Sequence, residues 1–132
     1  MSDDVFLSVV IPAFNEEKRI GRTLDAVIAF LKLQPYNSEI VLADDGSVDS
    51  TLRVARDKLG GFPHQIVSNP VNLGKGAAVK RGMLAASGSI RLFSDADLST
   101  PIEEATRFVQ HHSKGCDVVI GSSLDFHGLL SP

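Results

Sequence analysis

Apolar residues fall along this chain in two alternating rhythms: short continuous runs, and longer stretches spaced at helical period. Val5 to Ile11 is a β-branched, almost wholly apolar run that stops at Pro12, the pattern of a strand buried on both faces of a parallel sheet. Asn15 stands where a helix would be capped, Glu16 and Glu17 fill its first turn, and Ile20, Leu24, Val27, Ile28 and Leu31 recur at helical spacing until a stop near Pro35. The rhythm then repeats. Glu39 to Ala43 is a second run leading into Asp44-Asp45-Gly46-Ser47, and Leu52, Ala55 and Leu59 mark a helix closed by Gly60-Gly61.

His64 to Ser68 is a weaker strand, followed by a polar, Gly-rich loop from Asn69 and a helix from about Gly76 to Ala86. Ser89 to Phe93 reads as a fourth strand and ends in Ser94-Asp95-Ala96-Asp97. Thr100-Pro101-Ile102-Glu103 then combines an N-cap Thr, Pro at the first helical position and Glu two residues on. That helix carries Ile102, Ala105, Phe108 and Val109 on one face, breaks near Gly115 and gives way to Val118-Val119-Ile120. Strand and helix alternating in this way predict an α/β domain with an open, mostly parallel sheet. One such domain spans residues 1–132, and Gly121 to Pro132 shows no period, so the chain is expected to stop in a loop.

Composition excludes several classes. A hydrophobic share of 43% with 22% charged residues is that of an ordinary globular protein, neither disordered nor collagen-like. The formal charge of -3, from 13 Lys+Arg against 16 Asp+Glu, leaves no basic stripe for a polyanion, so no nucleic-acid partner is expected. Cys116 is the one cysteine, and the acidic start Met1-Ser2-Asp3-Asp4 lacks the positive flank of a secretory signal, which points to a cytoplasmic protein. No apolar run approaches the roughly 20 residues that span a bilayer, so any membrane contact of this chain is peripheral. His64, His111, His112 and His127 have no metal-ligand spacing.

In doubly wound sheets ligands bind beyond the carboxyl ends of the strands, and the richest polar turns all follow expected strands. Pro12 to Glu16, Asp44 to Asp49 and Asp95 to Thr100 should converge there, bringing Glu16, Asp44, Asp45, Asp49, Asp95 and Asp97 into one region. So many carboxylates repel one another unless a cation or hydrogen-bond donors intervene. Asp95 and Asp97, two residues apart at a strand end with small Ala96 between, suit a hard divalent ion such as Mg²⁺ or Mn²⁺; two exposed loop aspartates are the plainer alternative. Asp44-Asp45-Gly46-Ser47 is either a plain turn or a strand end whose carboxylate accepts a hydrogen bond from a nucleobase. Asn72-Leu73-Gly74-Lys75-Gly76 has the spacing of neither standard nucleotide fingerprint. It still offers a close backbone approach with a lysine at a helix start.

Taken in order, Val9-Val10-Ile11-Pro12-Ala13-Phe14-Asn15-Glu16-Glu17, Asp44-Asp45-Gly46-Ser47-Val48-Asp49-Ser50-Thr51, Asn72-Leu73-Gly74-Lys75-Gly76-Ala77-Ala78-Val79 and Asp95-Ala96-Asp97-Leu98-Ser99-Thr100-Pro101 resemble the family 2 glycosyltransferases of GT-A fold. The subgroup most resembled is the dolichyl- or polyprenyl-phosphate sugar synthases, over roughly residues 5 to 123. The resemblance implies a Rossmann-like nucleotide-sugar-binding fold with helices on both faces of the sheet and the family's C-terminal part missing. It implies that Pro12, Ala13, Glu16 and Asp45 line a nucleoside pocket, that Asp44 supports it, and that Gly74, Lys75 and Gly76 lie near the base or ribose. Asp95, Ala96 and Asp97 would be the family's D-x-D, with both aspartates catalytic through Mg²⁺ or Mn²⁺.

The implied reaction is inverting transfer of a hexose from UDP-glucose or GDP-mannose to an acceptor such as a polyprenyl or dolichyl phosphate, at the cytoplasmic face of a membrane. Gly121-Ser122-Ser123 departs from the subgroup's usual Gly-Ser-Arg, and the resemblance implies that the family's acceptor half is missing from this chain. The alternative is a non-catalytic nucleotide-sugar-binding fragment or subunit. On either reading, an internal strand expected to be missing would leave exposed sheet edges that favour self-association.

Overall fold

The strand runs foreseen from the pattern come together as one sheet in the computed structural model, which describes residues 4–95 and 118–120. β1 (Leu7–Ala13), β2 (Ser38–Asp44), β3 (His64–Ser68), β4 (Ile90–Phe93) and β5 (Val118–Ile120) lie in the order β3-β2-β1-β4-β5. Every neighbouring pair is parallel. The order runs outward from β1 to β3 on one side and restarts with β4 on the other. The switch therefore falls between β1 and β4, where a crevice opens at the carboxyl edge of an open α/β sheet.

β1 begins later than its apolar run and continues through Pro12 to Ala13. A proline is tolerated there because pairing with β4 ends at Val10 and Phe93, while the β2 ladder continues through Ile11 and Ala13. The missing N–H thus faces a position where no strand asks for it. Asn15 does not cap the first helix. It takes a left-handed φ of 51°, and α1 (Ile20–Lys32) opens five residues later behind Arg19. The helix expected after Thr100 lies outside the described residues.

Helices cover both faces. α1 and α2 (Thr51–Leu59) pack together on one of them, where Ile20, Leu24, Val27, Leu31, Ala55 and Leu59 join Leu7, Val9, Ile11, Ile40, Leu42 and Ile90 in the main core. α3 (Lys75–Ala85) lies against the other face, on β1 and β2. Its register was hard to read from apolar spacing because the residues it buries are the small Ala78 and Gly82. A Cβ on Gly82 would stand 2.5 Å from Val10 Cγ1 and 3.2 Å from Ala43 Cβ, so the absence of a side chain sets how closely α3 approaches the sheet.

At the amino end of the sheet a carboxylate is buried: Glu39 is 5% exposed. Its Oε2 accepts from Ser8 Oγ at 2.6 Å, Ser87 N at 2.7 Å and Ser87 Oγ at 2.9 Å, and its Oε1 from Gln65 Nε2 at 3.1 Å. Burial alone would raise its pKa, but these bonds together outweigh burial and hold it below the usual glutamate value. The carboxylate thereby ties β1, β2, β3 and the α3–β4 turn together, far from the crevice.

Candidate active site

Residues from the ends of β1, β2 and β4 and from the start of α3 enclose a cleft of ≈ 390 Å³ at the switch point. Pro12, Ala13, Phe14 and Glu16 come from the end of β1, Asp45 from the end of β2, Asn72, Gly74, Lys75 and Ala78 from the entry to α3, and Asp95 from the end of β4. Pro12, Ala13, Glu16, Asp45, Gly74, Lys75 and Asp95 are positions singled out from sequence. Asp44 and Gly76 do not line the cleft, and Ala96 and Asp97 lie outside the described residues.

Strand alternation separates the two adjacent aspartates. Leu42 and Asp44 share the α1/α2 side of β2, so Asp44 turns away from the cleft, is 2% exposed, and accepts the Ser47 N–H through Oδ2 at 3.0 Å. Its Oδ1 has no hydrogen-bond partner among the described residues. Asp45 emerges on the other side. Its Oδ1 accepts from Asn69 Nδ2 at 2.8 Å and from the Leu73 N–H at 2.9 Å, and its Oδ2 accepts the Gly74 N–H at 2.8 Å. Burial would raise the Asp45 pKa, but these donors prevail and lower it, so the group is a carboxylate at neutral pH. Oδ2 keeps capacity for a further donor from the cleft.

The first two turns are sewn to each other. Asn15 receives and gives across the gap: its N–H donates to Ser47 Oγ at 2.9 Å and its Oδ1 accepts from the Val48 N–H at 2.9 Å. The Glu16 N–H donates to Thr51 Oγ1 at 2.8 Å, and the Ser50 N–H donates to Glu17 Oε1 at 2.8 Å. Burial would raise the Asp49 pKa, but its carboxylate accepts the Thr51 hydroxyl and the Thr51 and Glu17 N–H groups, which together lower it. Asp49 is thus spent on the stitching and does not line the cleft. Gly46, at φ 80°, lets the second turn press against the Val71–Asn72 backbone, where a Cβ would come within 2.5 Å of the Val71 carbonyl carbon.

The crowding of carboxylates is relieved mainly by donors from the protein. Glu16 is bound by Arg19 at 2.6 Å, Asp45 by the 69–74 loop, and Asp95 by an ion pair with Lys75. Asp95 is 17% exposed, Lys75 is 57% exposed, and the ammonium also stands 5.1 Å from the centre of the Phe93 ring. An all-oxygen donor at a strand end that already holds one cationic group suits Mg²⁺ or Mn²⁺ rather than a softer metal. No cluster of metal-ligating side chains larger than a pair occurs among the described residues.

Phe14, Asn72 and Ala78 also line the cleft without having been singled out as binding residues. All three stand inside the motif runs; Phe14 is two residues beyond Pro12 and Ala78 one helical turn beyond Gly74, within reach of the strand and helical periods, whereas Asn72 lies in the loop before α3 and has no such signal.

Residues 8–128 match the model of Glycosyl transferase family 2. The chain belongs to that family. A dolichyl-phosphate beta-glucosyltransferase of Trichomonas vaginalis is 41% identical over 106 residues, which are 76% of this chain and 33% of the relative. Among solved structures, a glucosyl-3-phosphoglycerate synthase of Mycobacterium tuberculosis, in complex with Mn²⁺, UDP and glucosyl-3-phosphoglycerate, matches with a TM-score of 0.57 at 31% identity, covering 76% of this chain and 39% of that one. The mannosyltransferase PcManGT of Pyrobaculum calidifontis shares the fold with a TM-score of 0.68 at 23% identity, covering 83% of this chain and 33% of its own. The fold is that of the GT-A glycosyltransferases. The chain spans about a third of the length of the curated relatives it matches.

Proposed function

We propose that the cleft binds a nucleotide sugar and serves inverting transfer of a hexose to a lipid phosphate of the polyprenyl or dolichyl class. The observation that carries this reading is the placement of Asp45, with its own loop fixed and Oδ2 capacity to spare, across the switch-point crevice from Asp95. The T. vaginalis relative, named for glucosyl transfer to dolichyl phosphate, favours glucose over mannose as the sugar.

Each part of the cleft has a distinct task. Asp45 accepts an N–H or O–H of the nucleoside, while Pro12, Ala13 and Phe14 give its ring an apolar wall that excludes water. Asp95, with Asp97 beyond the described residues, would hold Mg²⁺ or Mn²⁺. Such an ion, when bound, neutralises the charge that develops on a departing diphosphate. In the transfer an acceptor phosphate oxygen bonds to the anomeric carbon, the bond from that carbon to the diphosphate oxygen breaks, and the nucleoside diphosphate leaves with the electron pair. In-line attack inverts the centre. A phosphate monoester with a second pKa of about 6 is largely ionised at neutral pH, so the nucleophile needs no dedicated base from the protein.

No described helix is long and apolar enough to cross a membrane. On the proposed reading this chain meets its lipid acceptor at the cytoplasmic face as a peripheral partner. Calorimetric titration of the chain with UDP-glucose and GDP-mannose, with and without Mn²⁺, tests the assignment. Saturable, metal-strengthened binding of one donor is expected, and binding of neither overturns it. Donor binding without transfer to a polyprenyl phosphate would favour a nucleotide-sugar-binding subunit.

A further inference from the structure

Among the described residues the cleft is lined by three carboxylates, Glu16, Asp45 and Asp95, and one ammonium, Lys75. Glu16 already has Arg19, and Asp45 has backbone and amide donors, so the Lys75 charge goes to Asp95. Lys75 is the first residue of α3, and the residue before it is held by the Gly74 N–H bond to Asp45. Its root is therefore fixed while its ammonium reaches across to the carboxyl end of β4. More than half of its side chain is exposed, so the tip can leave Asp95 without disturbing packed core.

We infer that Lys75 is a tethered stand-in for the divalent cation: it neutralises Asp95, must be displaced when the ion takes that carboxylate, and is then released toward the anionic diphosphate of the donor. This rests on the nucleotide-sugar reading above and adds to it a mechanism that couples metal to nucleotide. An ion arriving alone has to break the Lys75–Asp95 pair and then share a small space with a displaced positive charge. An ion arriving with a diphosphate gives that charge a partner. Metal and nucleotide thus strengthen each other's binding by the same factor, as linkage requires.

The test measures Mn²⁺ binding by electron paramagnetic resonance, first without nucleotide, for the full chain and for Lys75→Met, Lys75→Gln and Lys75→Arg. Removing an exposed, partly screened competitor should tighten Mn²⁺ binding about three- to tenfold in Lys75→Met and Lys75→Gln, and leave Lys75→Arg near the parent. The enhancement of Mn²⁺ affinity by UDP or GDP should shrink in both uncharged variants. Circular dichroism identical to the parent identifies the variants that count, and the two uncharged replacements differ enough in polarity that one suffices. Unchanged or weaker Mn²⁺ binding in the uncharged variants overturns the inference, as does tightening in Lys75→Arg. Because the first series omits the nucleotide, a chain that bound Mn²⁺ as described there but neither sugar nucleotide would sink the donor assignment and leave the cation competition standing.

Discussion

Asp45 accepts the backbone N–H of Gly74 at 2.8 Å, and this bond joins the carboxyl end of β2 to the residue that precedes α3. With the Leu73 N–H and the Asn69 amide on its other oxygen, one carboxylate shapes the loop that forms a wall of the cleft. The same side chain is thereby committed to structure and, on the proposed reading, to the ligand.

Asp45→Asn should accordingly lower stability as well as donor affinity. An asparagine can offer its oxygen to one side only, and turning it toward Leu73 and Asn69 sets an NH₂ against the Gly74 N–H. Leaving such buried donors unmatched costs about 1–3 kcal/mol. Urea denaturation should show a loss in that range, with nucleotide affinity falling even in the absence of metal. An unchanged midpoint would mean that the 69–74 loop does not depend on this carboxylate.

Acid should unfold the protein through its bonded carboxylates. Glu39, Asp45 and Asp49 all have lowered pKa values in the folded state, where hydrogen bonds outweigh the opposing effect of burial. The folded chain then binds fewer protons than the unfolded one. Their stabilisation is complete above the ordinary carboxylate range, about pH 4, and is lost as pH falls through the depressed values. Denaturant midpoints measured downward from neutral pH should hold steady and then decline. Glu39→Gln should flatten that decline, since the amide keeps the size of the group and removes its titration; a slope equal to the parent's would exclude Glu39 as a source.

Strands, their order of appearance and the cleft segments were legible because β-branched runs and polar turns are local signals. What escaped was carried by distant partners. Asn15 looks like a cap beside Glu16 and Glu17, yet its bonds run to Ser47 and Val48, more than thirty residues away, and these hold it at a positive φ. Glu39 opens an apolar run and gives no hint of burial, because its donors come from β1, β3 and the turn before β4. Asp44 and Asp45 are equivalent as letters, and only the period of two decides which one meets the cleft. Gly76 lies in the glycine-rich motif but has open space around its missing Cβ, whereas Gly82, outside the core of that motif, sits against the sheet.

That contrast between glycines can be measured. Gly82→Ala should cost about 1–3 kcal/mol, because the added methyl overlaps Val10 and α3 must shift. Gly76→Ala meets nothing within 4 Å and should be neutral or stabilise by up to about 1 kcal/mol through helix propensity. If Gly76→Ala is folded normally but loses donor affinity, a ligand approaches that backbone closely. Full affinity would remove Gly76 from the binding residues.

The two aspartates proposed for the metal should behave differently from each other. Asp97→Ala deletes a hard anionic ligand while leaving the Lys75–Asp95 pair intact, so the metal-dependent gain in donor affinity should be mostly lost and metal-free affinity should stay where it was. Asp95→Ala deletes a ligand and also the partner of Lys75. The freed ammonium then favours an anionic diphosphate, so metal-free affinity for UDP or GDP should rise by about twofold to fivefold even as the metal effect disappears. Calorimetry of both variants with and without Mn²⁺ separates the two roles. Equal metal-free affinities would place Lys75 out of reach of the diphosphate, and a persisting Mn²⁺ effect in both variants would put the ion elsewhere.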